Sequence, residues 1–336
     1  MIKVSNLTKY YGDHLAVDDI SFEIKDGTVC GFLGPNGAGK STTMNIMTGC
    51  LSATAGSVSI NGHDIFEEPI EAKKQIGYLP EMPPVYTDET VTEYLRFVAR
   101  AKGVQAAQIP AEIENAIKET QLEEVAGRLI KHLSKGYRQR VGIAQTLLGS
   151  PSVIILDEPT VGLDPLQVID IRNLIKSLGR THTVILSSHI LSEVQMICDE
   201  IIIISGGRLI AYDTSENLEK LMSPTAMIEL ITDADESESR SVLDKYNDVE
   251  SAEYVETKDD SGSPITKIHI KTKPDSEYEI RRTLSLEFAK LGRAVLGLSS
   301  VKANLEEIFI ELTSSQDEAA TEAEVLPVER AEEVQE

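Results

Sequence analysis

Short runs of β-branched and aliphatic residues recur through the first 220 positions, at 29–33, 58–60, 76–79, 153–156, 184–187 and 201–204, with helix-like stretches between them. Runs of this size, apolar at nearly every position, are the pattern of strands buried on both faces, so an α/β domain with a substantially parallel sheet is expected over 1–220. Between 90 and 149 the strand pattern stops. The stretches 89–103, 110–122 and 134–149 carry apolar residues every three or four positions, which predicts a helical subdomain, about 84–150, inserted in that domain. Beyond 221 the texture changes again: strand 225–233, helix 238–246, strands 250–257 and 264–272 around the turn-rich 258–263, helix 275–292 and strand 294–299. The order βαββαβ is that of a split-βαβ, ferredoxin-like unit, expected over 221–313 as an accessory or regulatory α+β domain with a closing helix at 304–313.

Composition narrows the function classes. With 41% hydrophobic and 26% charged residues, the 336-residue chain is ordinary globular material, enough for one large domain and a smaller one. No apolar run approaches the roughly 18 residues a membrane span requires, and the N-terminus lacks the pattern of a secretory signal, so a cytosolic chain is expected. Cys30, Cys50 and Cys198 have no metal-ligand spacing and read as small hydrophobes. The net charge of −23 disfavours nonspecific attraction to nucleic acid or anionic lipid, so no direct nucleic-acid partner is expected. The last residues, 314–336, hold eight carboxylates, one arginine and no aromatic, which predicts a disordered acidic tail.

The chemistry lies in three segments. Gly34, Pro35, Asn36, Gly37, Ala38, Gly39, Lys40 and Ser41, with Thr42 after them, fit the phosphate-loop pattern GxxxxGK[ST] and stand between a buried run and a helical one. Glycines there let successive N–H groups turn inward, the helix adds its positive end, Lys40 reaches the β/γ-phosphates and Ser41 ligates magnesium. Asp157 and Glu158 end the apolar run 153–156, where ligands of open α/β sheets collect: Asp157 is expected in the magnesium shell and Glu158 as the group that polarises the attacking water. Third, Leu133-Ser134-Lys135-Gly136-Tyr137 opens the helical stretch just before that strand.

With that third segment the chain resembles the nucleotide-binding subunits of ATP-binding cassette (ABC) transporters, whose signature is LSGGQ followed by a helix. The resemblance covers residues 1 to about 215. It implies a P-loop NTPase fold with ATP and Mg²⁺, adenine stacking on Tyr11 with Tyr10 as the competing choice, a glutamine-loop position at Glu81, a D-loop around Asp164 and a switch histidine at His189. It further implies that Ser134 and Gly136 act on nucleotide held by a second subunit, in a homodimer or pseudo-symmetric dimer around two ATP, with Asp164 communicating across the interface and His189 holding the γ-phosphate. His14, His63, His132, His182 and His269 read as surface or packing histidines.

Two departures stand out: LSKGY in place of LSGGQ, and Glu81 in place of glutamine. A carboxylate there is a harder magnesium ligand, so Glu81 joins Ser41 and Asp157 as a candidate metal residue. The GYLPE and LSKGYRQR forms resemble the ATPase subunits of bacterial type-2 exporters of the gliding-motility and multidrug kind. That likeness implies transport, in the export direction, through a separate polytopic permease at the cytoplasmic face of the membrane, with 82–86 and the helical subdomain as its docking region. The alternative class is a soluble ABC ATPase working on ribosomes or nucleic acid; such proteins usually join two cassettes or insert long coiled coils.

Overall fold

A computed structural model describes residues 1–222, 226–259, 261–273 and 276–301. The closing helix expected at 304–313 and the acidic tail at 314–336 lie outside the described residues. Two compact units divide between Ser215 and Glu216.

The first unit contains two sheets. One is antiparallel, in the order β2-β1-β4-β5, from β1 (Ile2–Tyr11), β2 (His14–Ile24), β4 (Ala55–Ile60) and β5 (His63–Asp64). The other holds six strands in the order β10-β9-β3-β8-β7-β6: β3 (Val29–Leu33), β6 (Ile76–Leu79), β7 (Val153–Leu156), β8 (Thr183–Ser188), β9 (Glu200–Ser205) and β10 (Arg208–Thr214). All neighbours in it are parallel except β9 and β10, an antiparallel hairpin. The run 58–60 does not join the parallel sheet expected for it; as the end of β4 it pairs antiparallel with β1, Val4 opposite Val58. It is apolar because this small sheet packs on the same core, where Val58 and Ile60 meet Phe32, Met44 and Ile202.

Residues of β3, β7 and β8 are buried throughout, which is why their sequence reads as unbroken apolar runs. Helices α1 (Lys40–Met47), α2 (Pro69–Lys74), α6 (Pro165–Leu178) and α7 (Leu191–Ile197) follow strands of the unit. The helical insertion supplies α3 (Val91–Ala101), α4 (Ile109–Glu119) and α5 (Lys135–Leu147), which share a core of their own including Leu95, Ile113, Ile130 and Val141. Thr90 and Glu93 form a capping box at the head of α3.

Helix α8 (Ser215–Met222) opens at the division between the units. The second unit runs β11 (Ala226–Thr232), α9 (Glu236–Leu243), β12 (Val249–Lys258), β13 (Pro264–Thr272), α10 (Glu277–Lys290) and β14 (Val295–Val301). Its sheet has the order β12-β13-β11-β14 with every pair antiparallel. Ile228, Leu230, Ile268 and Ile270 pack with Leu284 and Phe288 into a separate core.

Candidate nucleotide site

Four neighbouring parallel strands deliver the chemistry at their C-terminal ends: β3 runs into Gly34, β6 into Glu81, β7 into Asp157 and Glu158, and β8 into His189. Parallel strands point their carboxyl ends the same way, so residues far apart in sequence collect along one edge. There a cleft of about 470 Å³ is lined by Tyr11, His14, Ala16, Asn36, Gly37, Ala38, Gly39, Lys40, Ser41, Thr42, Glu81, Glu158, Val161 and His189.

The phosphate loop owes its shape to its glycines. Gly39, the residue before α1, has φ 98°, and a Cβ there would stand 2.6 Å from the Ala16 carbonyl, so only glycine fits. Gly34 and Pro35 stand outside the cleft lining. Their carbonyls receive the Lys40 ammonium at 2.8 and 3.2 Å, which holds the loop closed on its own lysine. Lys40 is only 6% exposed, and burial lowers its pKa, with Glu158 and then Asp157 pulling it back up.

Asp157 and Glu158 are both buried. Oδ1 of Asp157 accepts from Ser41 Oγ at 3.2 Å and from Ser187 Oγ at 2.6 Å. The same Ser187 hydroxyl accepts the Glu158 N–H at 2.8 Å, so a single serine on β8 fixes both carboxylate residues of β7. Glu158 has left-handed backbone, φ 47°, a conformation that costs a glutamate energy and that surrounding structure must hold. Its Oε2 lies 3.0 Å from His189 Nδ1 and its Oε1 3.8 Å from Lys40 Nζ. Ser41 and Asp157 present hard oxygen donors side by side, and no group of three or more His, Cys, Asp or Glu side chains among the described residues forms a cage. That sparse oxygen set fits magnesium, which is bound through one or two carboxylates and fills its shell with water and phosphate oxygens.

Tyr11 lines the cleft and Tyr10 does not; Tyr11 is 49% exposed, with Lys9 Nζ 5.3 Å from its ring centre. Ser134 and Gly136 are elsewhere, in a second hollow shared with Gln121, Tyr137, Arg140, Gln167, Asp170 and Ile171. Ser134 caps α5, its Oγ accepting the Tyr137 N–H at 3.3 Å. Asp164 lines neither hollow; it caps α6, accepting the Gln167 N–H at 3.0 Å. Lys135 lies over Gly162, where a Cβ would stand 2.2 Å from its Nζ. Tyr137 packs on the helical core, so its ring takes up a structural place.

The sequence reading missed His14, Ala16, Val161 and Ser187. Only Ser187 carried a signal, as one of the two serines that separate the apolar run of β8 from His189.

A strand, phosphate loop and helix, with an aspartate at the end of β7, the second strand over from β3 in the same parallel sheet, define a P-loop nucleotide hydrolase. A family model described as ABC transporter matches residues 17–161. The bacitracin transport ATP-binding protein of Bacillus licheniformis is 31% identical over 314 residues, 93% of this chain and 97% of that protein. The lantibiotic transport ATP-binding protein of Streptococcus pyogenes is 37% identical over 233 residues, 68% of this chain and 99% of that one. Among solved structures, the dimeric post-hydrolysis state of an ATP-binding cassette bound to ADP and Pi is 26% identical, with TM-score 0.57, covering 64% of this chain and 98% of that one. The chain belongs to the family of ABC transporter ATP-binding subunits, resembling those of the type-2 exporter kind, and is an ATPase. Transporter ATP-binding subunits work with membrane components, and no helix among the described residues is long and apolar enough to cross a membrane.

Proposed function

We propose that the chain hydrolyses Mg–ATP as a head-to-tail dimer at the cytoplasmic face of a membrane, and that the closing and reopening of the dimer drive export through a separate polytopic permease. The observation that carries this reading is the separation of the two phosphate-binding ends. Lys40 and Ser41 line one cleft and Ser134 and Gly136 another, with no lining residue in common, so one copy offers two half-sites that a second copy complements. The dimeric relative bound to ADP and Pi supports the same arrangement. Its relatives in bacitracin and lantibiotic transport support the transport role, and a relative named as a Nod factor export ATP-binding protein, 29% identical over 94% of this chain, supports export as the direction.

In this reading the backbone N–H groups of 36–42 bind the β/γ-phosphates and Lys40 exchanges its loop carbonyls for phosphate oxygens. Ser41, Asp157 and Glu81 hold magnesium, which when bound offsets the charge of the phosphates. Glu158 takes a proton from the attacking water. His189, donating from Nδ1 to Glu158, orients that carboxylate and faces the γ-phosphate from the end of β8. Tyr11 stacks on adenine, and Asp164 stands at the head of α6 where the second copy would meet it. The exposed side chains of Met82 and Tyr86, 81% and 53% accessible, form the permease contact with the helical subdomain. The sheet order of the second unit supports a ferredoxin-like accessory or regulatory domain.

The test is affinity purification of tagged Glu158→Gln protein from detergent-solubilised membranes with magnesium and ATP, followed by mass spectrometry. A polytopic membrane protein at near-stoichiometric yield is expected. Ribosomal or nucleic-acid-bound partners, with none from the membrane, would overturn the transport role.

A further inference from the structure

The segment 80–86 leaves β6 and does three things in seven residues. Glu81 lines the phosphate cleft. Pro83 lies against α5 at Gly142, where a Cβ would stand 3.1 Å from the proline's own Cβ. Pro84 offers its carbonyl to the hydroxyl of Tyr94, 3.2 Å away on α3. That hydroxyl also meets Oε1 of Gln145, one turn beyond Gly142 on the same face of α5. Tyr94 is 2% and Gln145 7% exposed, so their contact is shielded from water, while the bond to the exposed Pro84 is part-buried. One phenol proton cannot serve two acceptors fully, so the joint is complete with the Gln145 amide turned to donate its NH2 to the phenol oxygen while the phenol donates to the Pro84 carbonyl. Burial, with Tyr86 adding to it, pushes the Tyr94 pKa up to about 12, so the phenol keeps its proton at neutral pH.

From Gln145 to its cap at Ser134, α5 runs about 16 Å at 1.5 Å per residue, without a break. Its far end is tied as well, by Lys102 Nζ to the carbonyls of Gln145, Thr146 and Leu148. A shift of the 80–86 loop therefore has a stiff route to the head of α5.

We propose that Tyr94 is a positioning residue of the ATPase: its hydroxyl joins the 80–86 loop to α5, so that Glu81 in the phosphate cleft and Ser134 at the head of α5 move together. The inference rests on the ATPase reading and concerns how its two half-sites are kept in step; it does not depend on which protein meets Met82 and Tyr86.

Tyr94→Phe keeps the ring and removes the joint from one side; Gln145→Met removes it from the other. Steady-state ATPase of the full chain is measured for the wild type, each variant and the double variant, per nucleotide site titrated with a fluorescent ATP analogue, so that unfolded protein does not count. Each single variant is expected to lower kcat about threefold or more while KM for ATP stays within about twofold, and the double variant to be no slower than either single. A Tyr94→Phe chain that accumulates poorly leaves Gln145→Met to decide the same point. Unchanged kcat per site in the single variants, or a double variant as slow as the product of the two, overturns the proposal while wild-type turnover leaves the ATPase reading standing. No turnover in the wild type would sink the reading itself.

Discussion

Nδ1 of His189 lies 3.0 Å from Oε2 of Glu158, and the partner oxygen Oε1 lies 3.8 Å from Nζ of Lys40, so both oxygens of the carboxylate proposed as proton acceptor face a cationic or proton-donating group. In the proposed mechanism the imidazole orients the carboxylate that receives the proton of water. His189→Ala is expected to cut kcat about 10²-fold with nucleotide affinity nearly unchanged, measured by phosphate release and equilibrium binding. An equal loss of affinity would make His189 a binding residue instead.

Ser187 is fully buried and joins Asp157 Oδ1 to the N–H of Glu158. Ser187→Ala leaves the buried Glu158 N–H without its acceptor and Asp157 Oδ1 with Ser41 alone, at a cost of about 1–3 kcal/mol in unfolding free energy, and lets the Asp157–Glu158 pair drift. Urea denaturation and ATPase should both fall. Loss of stability alone, with kcat intact, would confine Ser187 to the fold.

Glu81 brings a second carboxylate to the cleft that already holds Glu158. Glu81→Gln removes the charged oxygen proposed for the magnesium shell, so the magnesium concentration for half-maximal ATPase should rise about threefold or more. An unchanged magnesium titration would remove Glu81 from the metal shell.

Lys102 gives a pH signature. Its stem is exposed, but its ammonium is held among three carbonyls at the end of α5, and burial holds its pKa down at about 8. The unfolded chain keeps that proton up to about 10.4, so from pH 8 to 10.4 it binds more protons than the native chain and this group's contribution to stability rises with pH. The unfolding free energy of the wild type should gain on that of Lys102→Met across this window, by about 1 kcal/mol once solvent screening of the exposed stem is allowed for. A flat or falling difference would contradict the assignment.

What could be read from sequence was what lies within one strand-loop-helix. Lys40, Ser41, Asp157 and His189 each directly follow a buried run or open a helix, and local pattern suffices to place them. Ser187 acts only because β8 lies beside β7, a pairing no local pattern records. His14 and Ala16 reach the cleft because β2 folds back on β1 through Gly12, whose φ of 60° suits that turn. The run 58–60 was assigned to the wrong sheet because burial makes a strand apolar in either sheet, and periodicity does not name its partners.

In the proposed cycle one chain carries two half-sites, which ATP joins between copies. Glu158→Gln should bind ATP without consuming it, and light scattering on size-exclusion eluate should then give twice the 36.8 kDa of the single chain with magnesium and ATP, and the single-chain mass with ADP. A Glu158→Gln chain saturated with ATP that still elutes as one copy would contradict the account.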